Sequence, residues 1–207
     1  GFYVECDTSE GESLTKRLTL YKLRAKVTIT PVELSVSAAE SGGLVDARHP
    51  DMPSRIYAEC GEASDTSAAL SAYTAQRVSR GVLEGPQEII ASQDFPHDVA
   101  LDLVDAVSFK KGCFVGQEVV SRVKHRGTAR RRPVILSGDA LAVGQEVLCG
   151  EKSIGTIRGV ADSDALAVLR IDQVKGPLPA GGQPVEARLP PYSTYVLGPV
   201  AKTESAE

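Results

Sequence analysis

Apolar residues fall along this chain in two textures, and the change between them comes near residue 130. In the first part, Leu14, Leu18, Tyr21 and Ala25 recur at helical spacing behind Thr8, Ser9 and Glu10, which predicts a helix over 13–26. Residues 2–6 alternate as a strand. The β-branched stretch 27–36 predicts one or two strands around Pro31, and 55–60 predicts another. Ser41-Gly42-Gly43 marks a turn and 46–53 reads as a loop. Asp65 suits the N-cap of a helix over 66–80 closed by Gly81. That helix puts Ala69, Ala72, Tyr73 and Val78 on its apolar side, with Arg77 and Arg80 on more polar faces. Residues 85–96 are irregular and 99–107 form a short apolar segment.

From Pro133 the texture is short apolar runs at 134–136, 147–149, 153–157, 165–171 and 184–189. Gly, Pro and Asp separate them at hairpin-like intervals, the pattern of a small antiparallel barrel or sandwich. A boundary near 127–132 follows. Residues 1–127 are α+β, 128–200 all-β, and the polar end 201–207 is a disordered tail.

Composition changes this picture little. The chain has 207 residues, 42% hydrophobic and 24% charged, enough for a real core. No apolar run reaches membrane-spanning length. The start at Gly1 lacks the basic and apolar segments of a secretion signal and has no initiator Met, so the sequence reads as an incomplete copy. A net charge of −4 argues against nucleic acid as a partner on bulk charge.

Cysteines stand at 6, 60, 113 and 149, with no Cys-x-x-Cys pair, and His49, His97 and His125 have no metal spacing. This argues against a zinc site, an iron–sulfur cluster held by this chain alone, and a disulfide scaffold. The expectation is four reduced cysteines in a cytosolic compartment, three of them packed as small apolar residues.

Candidate chemistry concentrates at Phe109-Lys110-Lys111-Gly112-Cys113-Phe114-Val115-Gly116-Gln117-Glu118. Gly112 and Gly116 permit tight backbone geometry on either side of the thiol. Gln117 to Val123 predicts a helix beginning just after Cys113. Cations and a helix N-terminus both stabilise a thiolate, which predicts a lowered Cys113 pKa and a thiol near a cleft. The residues alone leave a reactive thiol and a packed structural cysteine both open.

Lys-Gly-Cys-Phe-x-Gly-Gln-Glu at 111–118 resembles the K-G-C-[FY]-x-G-Q-E signature of the YgfZ family, folate-binding relatives of the glycine-cleavage aminomethyltransferase. Val107-Ser108-Phe109-Lys110 before it and His125-Arg126-Gly127 after it are similar to the family too. Tyr73-x-x-x-Arg77 leading to Gly81-Val82 resembles the helix that borders the family's folate pocket, and Phe95-Pro96 and Leu101-Asp102 resemble its link to the signature. The likeness runs from about Phe2 to Val200 and leaves out the family's first segment.

This resemblance implies a ferredoxin-like half, a folate-binding α+β half and a C-terminal β-barrel. It implies tetrahydrofolate or a one-carbon derivative as cofactor, contacted by Tyr73, Arg77, Lys111, Gly112, Gly116, Gln117 and Glu118, with Cys113 as the functional thiol and no metal site. The implied role is an accessory one, maintaining or assembling iron–sulfur clusters in client enzymes, including radical enzymes that modify tRNA. The implied partners are folate and iron–sulfur carrier or client proteins, in the cytoplasm or, in a eukaryote, the mitochondrial matrix. The alternative is a folate-dependent aminomethyltransferase, and the cysteine in the signature favours the accessory role.

Three departures stand out. Tyr73 takes the place of a stacking Trp, and Arg77-x-Ser79 replaces Arg-x-Glu or Asn-x-Glu. Pro96-His97-Asp98-Val99-Ala100-Leu101 alters Pro-x-Glu-x-Asn-Leu. The basic set Arg122, Lys124, Arg126, Arg130, Arg131 and Arg132 has three readings: folate's glutamate tail, RNA, or a solvated face. RNA is the weakest, for want of interleaved aromatics.

Overall fold

The computed structural model describes residues 1–59, 67–126 and 129–199. The expected N-cap Asp65, the second cysteine Cys60 and the tail 201–207 lie outside the described residues. The α+β class with a C-terminal antiparallel barrel is what the chain adopts.

The barrel is a closed ring of six strands in the order β3-β6-β5-β4-β7-β8, with β3 Arg131–Ser137, β4 Glu146–Cys149, β5 Lys152–Ala161, β6 Asp164–Arg170, β7 Leu178–Ala180 and β8 Gln183–Arg188. Sequence periodicity found all of these but β7, which is three residues long and carries Pro179. Side chains alternate across β3 and β6. Val134, Leu136, Ala165, Ala167 and Leu169 point into the barrel, where they meet Val147, Ile154, Ile157 and Leu178. Ile135, Leu166 and Val168 point outward and are equally buried, against Val78, Leu83 and Val99 of the α+β part. Both faces of these two strands are covered, so they read as unbroken apolar runs. Burying each large side chain contributes about 1.5–3 kcal/mol.

Before the barrel, a short 3-10 turn Thr8–Glu10 leads into α1, Gly11–Tyr21. Asp7 opens it by accepting the Ser9 N–H at 2.9 Å. The helix stops short of the expected residue 26, and Leu23 takes a left-handed φ of 47° just beyond its end. Residues 2–6 form no strand and are exposed. A two-stranded antiparallel sheet pairs β1 Leu34–Ala39 with β2 Ser54–Glu59, so the first β-rich stretch becomes a strand later than its β-branched residues suggested.

Helix α2, Ser67–Ser79, ends in a Schellman motif: the Gly81 N–H donates to the Val78 carbonyl and the Val82 N–H to that of Arg77, with Gly81 at φ +76°. The segment after β8 straps this end. Tyr192 Oη donates to the Gly81 carbonyl at 2.6 Å, Arg188 donates to the Ser79 carbonyl at 3.2 Å, and Pro190 lies where a Cβ on Gly81 would be. Helix α3, Gln117–Arg126, precedes the barrel.

Candidate functional site

The Tyr73 side of α2 faces a dense polar network. Tyr73 Oη receives a hydrogen bond from Arg48 at 2.8 Å and one from Arg55 at 3.3 Å, and donates to Glu84 at 3.1 Å. Arg48 also forks onto Asp46, at 2.9 Å from Nε to Oδ1 and 2.6 Å from Nη2 to Oδ2. Burial works against the charge on Asp46, but Arg48 and Arg55 outweigh it and hold the carboxyl below its ordinary range. Burial pushes the Tyr73 phenol up.

Arg77 is not on a polar face. It is 5% exposed and pairs bidentately with Glu88, at 2.5 and 2.7 Å, while donating to the Val82 carbonyl at 2.7 Å. The apolar neighbours of α2 are the barrel strands β5 and β6, and the turn of helix carrying Val78 brings Arg77 inward with it. A cation already matched to a buried carboxylate is not free for a ligand's carboxylate.

The signature segment forms an exposed loop held at each side by a side-chain cap. Ser108 Oγ accepts the Lys111 N–H and Gln117 Oε1 accepts the Phe114 N–H, both at 3.3 Å. Between them Cys113 is exposed and Val115 is 91% exposed. Gly116 has φ +88°, the left-handed region that favours glycine. Gly112 needs no such freedom. The helix starts at Gln117, four residues after Cys113, so the thiol does not sit on the helix N-terminus as expected. Two nearby lysines lie on aromatic rings. Lys111 Nζ lies 4.4 Å from the centre of the Phe114 ring, and Lys124 Nζ 4.8 Å from that of Phe109. Glu118 reaches back to Arg122 on the exposed face of α3.

Behind this loop, Phe109 meets the ring of His97 at 6.3 Å between centroids. Arg132, on the first barrel strand, donates to the His97 carbonyl at 2.7 Å and to Asp102 Oδ1 and Oδ2 at 2.6 and 3.1 Å. The basic set is therefore not one surface: Arg132 is buried in an ion pair, Arg122 is paired and Lys124 lies on a ring. The Arg126 side chain lies outside the described residues. His97 is 2% exposed, and burial pulls its pKa down.

In front of the loop lies an open groove of about 360 Å³, lined mainly by Phe95, Pro96, Val107, Phe114 and Val119, with Lys111 at its edge. The structure thus brings Cys113, Lys111, Gly116 and Gln117 together, and keeps Tyr73 and Arg77 in a separate network. Sequence reasoning missed Asp46, Arg48, Arg55, Glu84 and Glu88, whose carboxylate–arginine matching is long-range. Among the described cysteines, Cys6 is exposed and Cys149 partly buried, so fewer pack as apolar residues than expected. Among the described residues no group of three or more His, Cys, Asp or Glu is placed to hold a metal ion, and no helix is long and apolar enough to cross a membrane.

Residues 129–195 match the family model described as the C-terminal beta-barrel domain of CAF17, which defines the class of the barrel. Among whole proteins, the chain is similar to the human iron-sulfur cluster assembly factor IBA57, mitochondrial. The two are 31% identical over 211 aligned positions, covering 86% of this chain and 59% of the human protein. The IBA57 homologue of Pyricularia oryzae is 29% identical over 153 positions, 64% of this chain and 39% of that protein. The homologue of Mycosarcoma maydis is 32% identical over 152, covering 65% and 38%. The chain spans about two fifths to three fifths of the length of these curated relatives.

Proposed function

We propose that this chain is an accessory factor in iron–sulfur cluster assembly or maintenance, and that Cys113 is the thiol through which it acts. The observation that carries the reading is the exposure of Cys113 on a loop capped at both sides, beside an apolar groove. The names of the relatives support it, and they place those relatives in mitochondria. A single thiol cannot supply the four ligands a cluster ordinarily takes, so the cluster is cargo and its other ligands come from a carrier or client protein or a small thiol. Enzymes that modify tRNA are among the clients this reading includes.

Tetrahydrofolate or a one-carbon derivative belongs to the proposal through the resemblance at 73–82 and 111–118. Tyr73 is half-buried, and its ring fits stacking on a flat ligand ring, whereas Arg48 and Arg55 at its hydroxyl are already matched by Asp46, Glu84 and Glu5. Arg77 does not fit, because Glu88 already holds it.

The test of the role is a deletion strain scored for several iron–sulfur enzyme activities and complemented with wild type or Cys113→Ala. Restoration by wild type alone is expected, and equal restoration by both would sink the thiol's role. For the ligand, tetrahydrofolate titration should show Tyr73→Ala weakening binding more than Arg80→Ala. Equal effects would show that the pocket lies elsewhere.

A further inference from the structure

We infer that the groove beside Cys113 docks an acidic segment of a partner protein that carries bulky apolar side chains. The inference deepens the proposed function and rests on it for the kind of partner, since the groove adjoins the thiol through which the chain is proposed to act.

Three observations converge. The first is shape and polarity. The groove's volume of about 360 Å³ falls within the roughly 300–1,000 Å³ of binding clefts. Among the described residues, Lys111 is the one ionisable side chain along its wall, and the rest is apolar apart from Ser108 and Gly116. Phe95 is 55% exposed and Val119 45%, so apolar area stands open to water here, and covering it is favourable.

The second is charge. The chain carries −4 overall, yet Lys111 lines this groove, its chain neighbour Lys110 is exposed, Lys124 is exposed over the ring of Phe109 next to the lining residue Ser108, and among the described residues none of the three makes an ion pair. Arg122 is already answered by Glu118. A local positive rim on a negative protein steers an anionic segment to this spot and turns a basic one away. Apolar walls select against a ligand that is anionic and nothing else.

The third is position. Phe114 and Lys111 line the groove and flank the exposed Gly112-Cys113 pair, so a segment seated there touches the immediate chain neighbours of that pair. Docking and cargo exchange then occur at one surface, and the groove supplies the affinity that one thiol lacks.

The probe is a fluorescein-labelled 12-residue peptide with Leu and Phe at i, i+3, i+4 and i+7 and Glu at the other places. Its counterpart has Lys in place of every Glu. Anisotropy should show the acidic peptide binding and the basic one not. Val119→Asp should weaken binding by about tenfold or more, and Lys111→Met and Lys111→Glu should weaken it progressively, with added salt acting in the same direction. Cys113→Ser should leave the affinity unchanged. Circular dichroism of each variant separates a lost groove from a lost fold, and the two Lys111 variants change an exposed side chain.

Equal binding of both peptides, indifference to Val119→Asp, or no binding of the acidic peptide would overturn the inference. Displacement of the peptide by tetrahydrofolate would make the groove a small-molecule site and overturn it too. So would self-association of the chain that Val115→Asp abolishes, because the occupant would then be a second copy. If the peptide arms fail while Cys113→Ala still fails to complement the deletion strain, the docking inference falls and the accessory role stands. If the peptide binds as expected and Cys113→Ala complements fully, the thiol's role falls and the docking surface stands.

Discussion

Arg77 and Glu88 face each other in a buried fork, Nη1 to Oε2 at 2.5 Å and Nη2 to Oε1 at 2.7 Å, directly against barrel strand β5. A Cβ on Gly159 of that strand would lie 2.2 Å from Glu88 Oε1, so the glycine makes room for the pair. Removing Arg77 leaves Glu88 buried without its cation, and removing Glu88 leaves Arg77 only the longer carboxylate contact to Glu84 Oε2 at 3.4 Å. Glu88→Ala and Arg77→Ala should each cost about 3–5 kcal/mol in denaturant unfolding, and the double change Arg77→Met with Glu88→Leu should recover most of it. Single variants within 1 kcal/mol of wild type would show the pair to be solvated, using the ~0–1 kcal/mol of surface pairs as the yardstick.

Thiol accessibility separates the cysteines. Cys6 and Cys113 are exposed, whereas Cys149 packs partly against the barrel interior. Alkylation of the native protein followed by peptide mapping should label Cys6 and Cys113 at least about ten times faster than Cys149, whose access requires local opening. Labelling of Cys113 as slow as that of Cys149 would contradict the open loop.

Acid should weaken the fold in part through His97. Desolvation lowers its folded pKa below the ordinary 6.5, with Arg132 and Lys124 adding to that and Asp102 and Asp98 opposing it. The unfolded chain therefore binds the proton more readily. The contribution of His97 is fully present above pH 6.5 and is lost as pH falls below that value toward the folded pKa. The raised pKa of Asp98, also driven by burial, acts in the opposite sense nearer pH 4. Stability measured from pH 8 to 5 should fall less steeply for His97→Gln than for wild type. Parallel curves would assign the acid sensitivity to other groups.

Gly81→Ala should be costly. The residue sits at φ +76°, and a Cβ there would come within 2.6 Å of the Pro190 ring. The conformation alone costs an alanine about 1–2 kcal/mol and the forced shift of Pro190 adds about 1–3 kcal/mol. A thermal melt no lower than that of wild type would show that the strap over α2 yields freely.

An isolated chain should not retain a stable cluster. Reconstitution with iron and sulfide, followed by absorption spectroscopy, should give no stoichiometric chromophore, and cross-linking should trap a cluster carrier through Cys113. A stable chromophore on the chain alone would mean that the ligands are not shared.

What the sequence made legible follows physical range. Barrel strands such as Val134–Leu136 and Ala165–Ile171 were visible because local alternation and turn residues report them directly. The reach of α2 was visible through Gly81. The exposure of Cys113 was anticipated from its glycines, lysines and the following helix; Gly116 does adopt the conformation that favours glycine, but the helix starts four residues beyond the thiol. Arg77 was misplaced because helical periodicity names the face a residue occupies and says nothing of a carboxylate eleven positions on. The same holds for Arg132, which looked like one more cation in a basic run and is gripped by Asp102 thirty positions earlier. Residues 2–6 have strand-like alternation, but among the described residues no neighbouring strand pairs with them, and a strand is defined by its partner.

The six barrel strands close on themselves, and the β1–β2 ribbon does not; beyond the ribbon's own pairing, the outer side of β2 is met at Leu44 through its exchange with Arg55. Each strand of the ring has a neighbour on both sides, β4 meeting β7 only through Val147 and Ala180 and β3 meeting β8 through residues 135–137, so most of the ring's edge pairing is already taken. Among the described residues, Leu34–Ala39 and Ser54–Glu59 offer the more open edge to strand donation, domain exchange and fibre growth. A protein that recognises the C-terminal part therefore meets mainly side chains and loops, while the ribbon is the more open to backbone templating.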